Sequence, residues 1–106
     1  MTSTHYIALT TCPNSEVATQ LAQACIENKL AACVNIIPAI QSIYRWKGKI
    51  EQDNESLLLM KTNKDNLKQL DEFIQQNHPY DVAEFITLNI ESGSQAYLDW
   101  ITQSLR

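Results

Sequence analysis

Glycine is almost absent from this 106-residue chain: Gly48 and Gly93 are the only two, beside three prolines. That excludes a glycine-rich loop to cradle phosphates, and the chain shows no internal repeat, linker or low-complexity tract. Cysteine is also scarce. Cys12, Cys25 and Cys33 are odd in number and lack a disulfide framework or CxxC spacing, which suits free thiols in a reducing compartment. Positive charge is in short supply, with eight Lys and Arg against twelve Asp and Glu, a net charge of −4 and no basic run. Phosphate backbones and anionic membranes are poor partners for such a surface, whereas cations are not repelled. A nucleic-acid role would need exposed aromatics on a basic sheet face. No segment approaches a membrane span. The opening Met1-Thr2-Ser3-Thr4-His5 has no basic residue to orient a signal sequence, and the apolar run Tyr6-Ile7-Ala8-Leu9 after it is too short for one, so a cytoplasmic protein is expected. Nucleophile elbow and HExxH helix are missing too, and no enzymatic activity is expected.

What the chain does have is a long ribbon. Ala31 to Trp46 is rich in Val, Ile and Tyr, Ile50 to Thr62 closes on Leu57-Leu58-Leu59-Met60, and Gly48 lies between the two runs. The pattern predicts one antiparallel hairpin. Arms of about fifteen residues would reach about 50 Å, whereas a compact domain of this size has a radius of gyration of about 13 Å. A ribbon that overruns its domain leaves Tyr44, Trp46 and Ile50 in water unless another copy covers them, which predicts an obligate oligomer. Pro38 cannot donate a ladder hydrogen bond and marks a bulge or an edge position.

Around the ribbon, 106 residues suffice for one domain, 1–106, with its own core. His5 to Thr11 is a strand. Asn14 caps a helix that ends near Asn28 or Lys29 and turns Val17, Ala18, Leu21, Ala22 and Cys25 inward. Asn63-Lys64-Asp65 caps a second helix, with Leu67, Leu70, Phe73 and Ile74 on one face, stopped at Asn77-His78-Pro79. Ala83 to Ile90 is a strand, and Gly93-Ser94 opens a third helix that faces Tyr97, Leu98, Ile101 and Leu105 inward. The order βαββαβ plus a C-terminal helix predicts an α+β, ferredoxin-like split βαβ sandwich.

Candidate site residues follow from chemistry. His78, held before Pro79, suits copper, nickel or zinc, although a helix C-terminus favours its cation. Cys12, just before a helix N-terminus, could carry a soft thiolate for Cu(I). Cys25 and Cys33 are expected to be core residues. Glu51, Asp53 and Glu55 alternate along one arm and are expected to form a solvated or salt-bridged row near Arg45, Lys47 and Lys49. Trp46 and Trp100 are expected to anchor subunit contacts.

Three segments go further: Leu30-Ala31-Ala32-Cys33-Val34-Asn35, Ser42 through Glu51 (SIYRWKGKIE) and His78-Pro79-Tyr80-Asp81-Val82-Ala83-Glu84. With Lys61-Thr62 and Tyr97-Leu98-Asp99-Trp100, they resemble the CutA divalent-cation-tolerance family over nearly the whole chain. The resemblance implies a tight homotrimer with strands shared between subunits, similar in architecture to the PII signalling proteins, and a role in metal tolerance with copper or another divalent cation weakly bound. It implies no catalysed reaction and no organic cofactor. Some bacterial relatives carry a cysteine at the end of the first strand and a His-His pair before the Pro-Tyr. The matching positions here are Thr10, Asn77 and His78, so Cys12 would have to stand in for the missing thiol. Lys61, Tyr80 and Glu84, with Trp46 from a neighbouring subunit, could line an inter-subunit cleft for a small anionic or mixed-charge ligand. Hence the alternative reading, a PII-like sensor whose loops meet a partner protein. A third reading is an enzyme using Lys61, Tyr80 and Glu84.

Overall fold

The computed structural model describes residues 4–106; part of the opening stretch discussed above, Met1 to Ser3, lies outside them. Strand β1 (His5–Cys12) runs one residue further than the sequence pattern suggests, into α1 (Ser15–Glu27). Asn14 holds the start of α1, its Oδ1 accepting from the Val17 N–H at 2.8 Å. The helix ends as Lys29 takes a left-handed φ of 56° and the Leu30 N–H returns to the Cys25 carbonyl at 2.9 Å.

The hairpin follows as β2 (Cys33–Trp46) and β3 (Lys49–Asn63). Lys47 and Gly48 both have positive φ, 51° and 79°, so the two-residue turn has the sense that matches the right-handed twist of the flanking strands. Asn63 then caps a short 3-10 turn, Lys64–Asn66, that leads into α2 (Leu67–Asn77). Helix α2 stops where Pro79 forces His78 into extended geometry (φ −85°, ψ 142°). Strand β4 is shorter than expected, Ile86–Asn89 rather than Ala83 to Ile90, because Tyr80 to Phe85 cross the end of the sheet as a loop. Helix α3 (Gln95–Ser104) closes the chain.

The four strands lie in the order β2-β3-β1-β4, every neighbouring pair antiparallel. Each crossover skips one strand, as a split βαβ sandwich requires. Alternate residues sort the sheet into two faces. Ala8, Thr10, Cys12, Ser56, Leu58, Met60 and Thr62 are buried, and most of them pack against Ala18, Leu21, Cys25, Leu70 and Ile74 of α1 and α2. The opposite face carries Ile7, Leu9, Leu57, Leu59, Ile86 and Leu88, of which Ile86 and Leu88 are about half exposed. One end of that face meets α3, where the Thr102 hydroxyl lies 2.9 Å from His5 Nε2. Ile101 of α3 is buried, but Tyr97, expected inward, is 44% exposed and stacks on Trp100 with ring centroids 5.5 Å apart.

The expected irregularity at Pro38 is a bulge. Ile37 pairs with Leu57 but Ile40 with Glu55, so β2 advances three residues while β3 advances two, with Ala39 at φ 57° absorbing the kink. Beyond it the two strands leave the sheet as a ribbon, and the molecule measures 44 × 27 × 23 Å with a radius of gyration of 14.3 Å.

Candidate functional site

A groove of about 650 Å³ lies between the ribbon and the loop from Pro79 to Glu84, lined among others by Tyr44, Trp46, Glu55, Tyr80, Asp81 and Glu84. The bulge is why the ribbon wall is aromatic. Beyond it Ser42, Tyr44 and Trp46 pair directly with Asp53, Glu51 and Lys49, so they share the face of Glu55. The other wall is set by the α2 stop, which swings Pro79 and Tyr80 past the end of β1.

Two phenol-carboxylate contacts fix the groove. Tyr80 donates to Glu55 Oε2 at 2.7 Å, and Tyr44 donates to Asp53 Oδ2. Burial, then the hydrogen bond to Glu55, pushes the Tyr80 phenol well above its usual range. The hydrogen bond to Asp53 pushes Tyr44 up to about 12. Both therefore stay protonated donors at neutral pH. Glu55 is only 8% exposed, so it does not belong to a solvated row. Arg45, expected nearby, pairs with Ile50 and points from the opposite face of the ribbon.

Of the cleft residues named from sequence, Trp46, Tyr80 and Glu84 line this groove within one chain. Lys61 is elsewhere. It pairs with Cys33 across β2 and β3, Nζ 3.9 Å from the Cys33 sulfur, towards the α3 end of the sheet. Tyr44, Glu55 and Asp81 also line the groove, and sequence reasoning did not place them there. The tyrosine's period-two relation to Trp46 was the available signal.

The structure brings Cys12 and His78 together at 3.8 Å, yet leaves the pair closed to a metal. The backbone N–H of Tyr80, which can only donate, sits 3.1 Å from His78 Nδ1, and the carbonyl of Thr11, which can only accept, sits 2.7 Å from Nε2. These partners define a neutral ring with its proton on Nε2 and its lone pair on Nδ1 already in use. Burial, then the charge of Glu55, pushes the Cys12 thiol up to about 11, opposite to the thiolate expected at a helix start. Burial likewise raises Cys25 to about 11. Thr10 turns to the same side as Cys12, and its hydroxyl is buried without a hydrogen-bond partner. Among the described residues no three His, Cys, Asp or Glu side chains are grouped to hold a metal ion.

The family model for the CutA1 divalent ion tolerance protein matches residues 6–104. The chain belongs to the CutA1 family. It is 52% identical to mouse protein CutA over 96 residues, covering 91% of this chain and 54% of the mouse protein. The chain thus spans about half the length of the mammalian CutA proteins it matches. The divalent-cation tolerance protein CutA of Thermus thermophilus is 45% identical, with 92% of this chain and 95% of that protein aligned. The crystal structure of CutA1 from Oryza sativa superposes with a TM-score of 0.95 at 45% identity, covering 99% of this chain and 96% of that one. The periplasmic divalent cation tolerance protein CutA of Archaeoglobus fulgidus superposes at 0.93 with 34% identity, covering 96% and 99%. CutA1 relatives thus carry names of divalent-ion tolerance and share the α+β sandwich seen here.

Proposed function

We propose that this protein is a non-enzymatic, cytoplasmic homotrimer that serves divalent-ion tolerance by weak association with copper or other divalent cations. The family match over residues 6–104 supports the tolerance role. The trimer rests on one observation, the apolar surface that a single chain leaves in water. Ile86 is 52% exposed, Leu88 54%, Ile43 65% and Ile50 72%, all on the open sheet face or the ribbon. The closed Cys12–His78 pair favours weak metal association through surface carboxylates over a built copper centre. Calorimetry with Cu(II), Zn(II) and Ni(II) tests the metal half: no heat up to millimolar ion would remove it. Sedimentation tests the assembly, and a folded lone subunit would remove that.

A second reading, a PII-like sensor that reports a small ligand to a partner protein, is favoured by the groove, whose volume lies in the range of metabolite sites.

A further inference from the structure

We propose that the groove between the ribbon and the Pro79–Glu84 loop binds a linear aliphatic diamine or polyamine, its ammonium groups taken by Glu55 within and by Asp81 and Glu84 at the lip. The proposal rests on the sensor reading for its site and names the ligand's chemistry. Three observations carry it.

The charge in the groove has one sign. Glu55, Asp81 and Glu84 line it, and no lysine, arginine or histidine does. Within one chain a phosphate or carboxylate entering there would meet three like charges and no opposite one.

Glu55 is a largely buried carboxylate that accepts one side-chain hydrogen bond, and its second oxygen is not sealed in the core. Its Oε2 accepts from Tyr80, whereas Oε1 has no hydrogen-bond partner among the described residues. Its one side-chain partner among the described residues, the Tyr80 phenol, is neutral and brings no opposite charge. An ammonium N–H entering the groove brings both the charge and the donor.

The walls suit an organic cation. Tyr44, Trp46 and Tyr80 offer aromatic faces, on which a cationic nitrogen and the methylenes beside it both rest favourably. A hard metal ion would need six or more oxygen ligands, and no cluster of three acidic, His or Cys side chains is assembled among the described residues. Glu55 is buried while Asp81 and Glu84 are exposed, so charge is offered at both the inner and the outer end, which favours a ligand charged at both ends.

The test is titration of the intact protein with 1,5-diaminopentane and spermidine, followed by calorimetry and by the indole N–H resonance of Trp46. Parallel titrations use 1,5-pentanediol, glutarate, ATP and Zn(II) alone. We expect both amines to bind, the diol and the anions not to, and added salt to weaken the amines. Glu55→Gln should weaken them by about tenfold or more. Glu84→Gln, on an exposed loop and free of any folding burden, should weaken them by a few-fold. Glutarate or ATP binding that shifts Trp46 would overturn the amine assignment and leave the sensor reading standing. Zn(II) alone shifting Trp46 and excluding the amines would also overturn it. Silence from every probe would remove the amine assignment and the sensor reading together. Unchanged amine affinity in both Glu55→Gln and Glu84→Gln would place any binding outside this groove.

Discussion

The Tyr80 phenol donates to Glu55 Oε2 at 2.7 Å, and this contact fastens the loop after α2 to the strand where the hairpin leaves the sheet. Removing the hydroxyl in Tyr80→Phe strands a buried carboxylate and should cost about 1–3 kcal/mol of stability in urea denaturation. In a double-mutant cycle with Glu55→Gln the two changes should be clearly non-additive. Additivity within the error of the method would show that the contact does not form in solution.

The Thr10 hydroxyl lies in the core with nothing to bond. Thr10→Val keeps the shape and deletes the stranded group, so the variant should be more stable by about 1 kcal/mol. A destabilised variant would mean that the hydroxyl has a partner.

Burial, the first cause for each, raises Cys12 and Cys25 from the usual 9.0 to about 11. A group whose folded pKa is raised contributes stability in full below its unfolded pKa and loses it as pH climbs through the folded value. Stability should therefore fall from pH 9 towards pH 11. Urea midpoints across that window should drop less steeply in Cys12→Ala and Cys25→Ala, each measured against its own value at neutral pH.

His78 spends both ring nitrogens on the Thr11 carbonyl and the Tyr80 N–H. His78→Ala should accordingly lower stability by about 2–4 kcal/mol, summed over two stranded backbone groups, and leave Cu(II) affinity unchanged. A tight Cu(II) isotherm that disappears in His78→Ala would show that the ring swings free of both partners.

Leu88 sits half exposed on the open sheet face. Leu88→Glu should shift sedimentation from trimer towards single subunits and make the melting temperature depend on concentration. A Leu88→Glu protein that sediments like the parent would place the contact elsewhere.

Much of the fold was legible because local chemistry and tertiary packing agree. Asn14 is a good cap and does cap; Pro79 should stop a helix and does; the two apolar arms around Gly48 do pair. The failures share a cause. Ala83 to Phe85 were expected in the last strand, yet Ala83 is buried in the core and Phe85 packs against that core from the loop, so burial rather than sheet pairing uses these two apolar residues. Tyr97 has helical spacing with Ile101, but a 10-residue helix at the sheet end has only a narrow buried stripe. The groove was harder to foresee. Trp46, Tyr80 and Glu84 are marked by family-like segments, but the sequence does not show that the Pro79–Glu84 loop covers Glu55, expected in a solvated or salt-bridged row, nor does it give the parity of bulged β2, which turns Arg45 away from that row.

The single supernumerary residue at Pro38-Ala39 thus acts as a polarity selector for the whole outer ribbon. Shorten β2 there by one amino acid and every later position of β2 would exchange sides: Arg45 would turn towards the loop, and Tyr44 and Trp46 away from it. The hollow would lose its aromatic wall and take a guanidinium beside its carboxylates, without a single substitution in the chain.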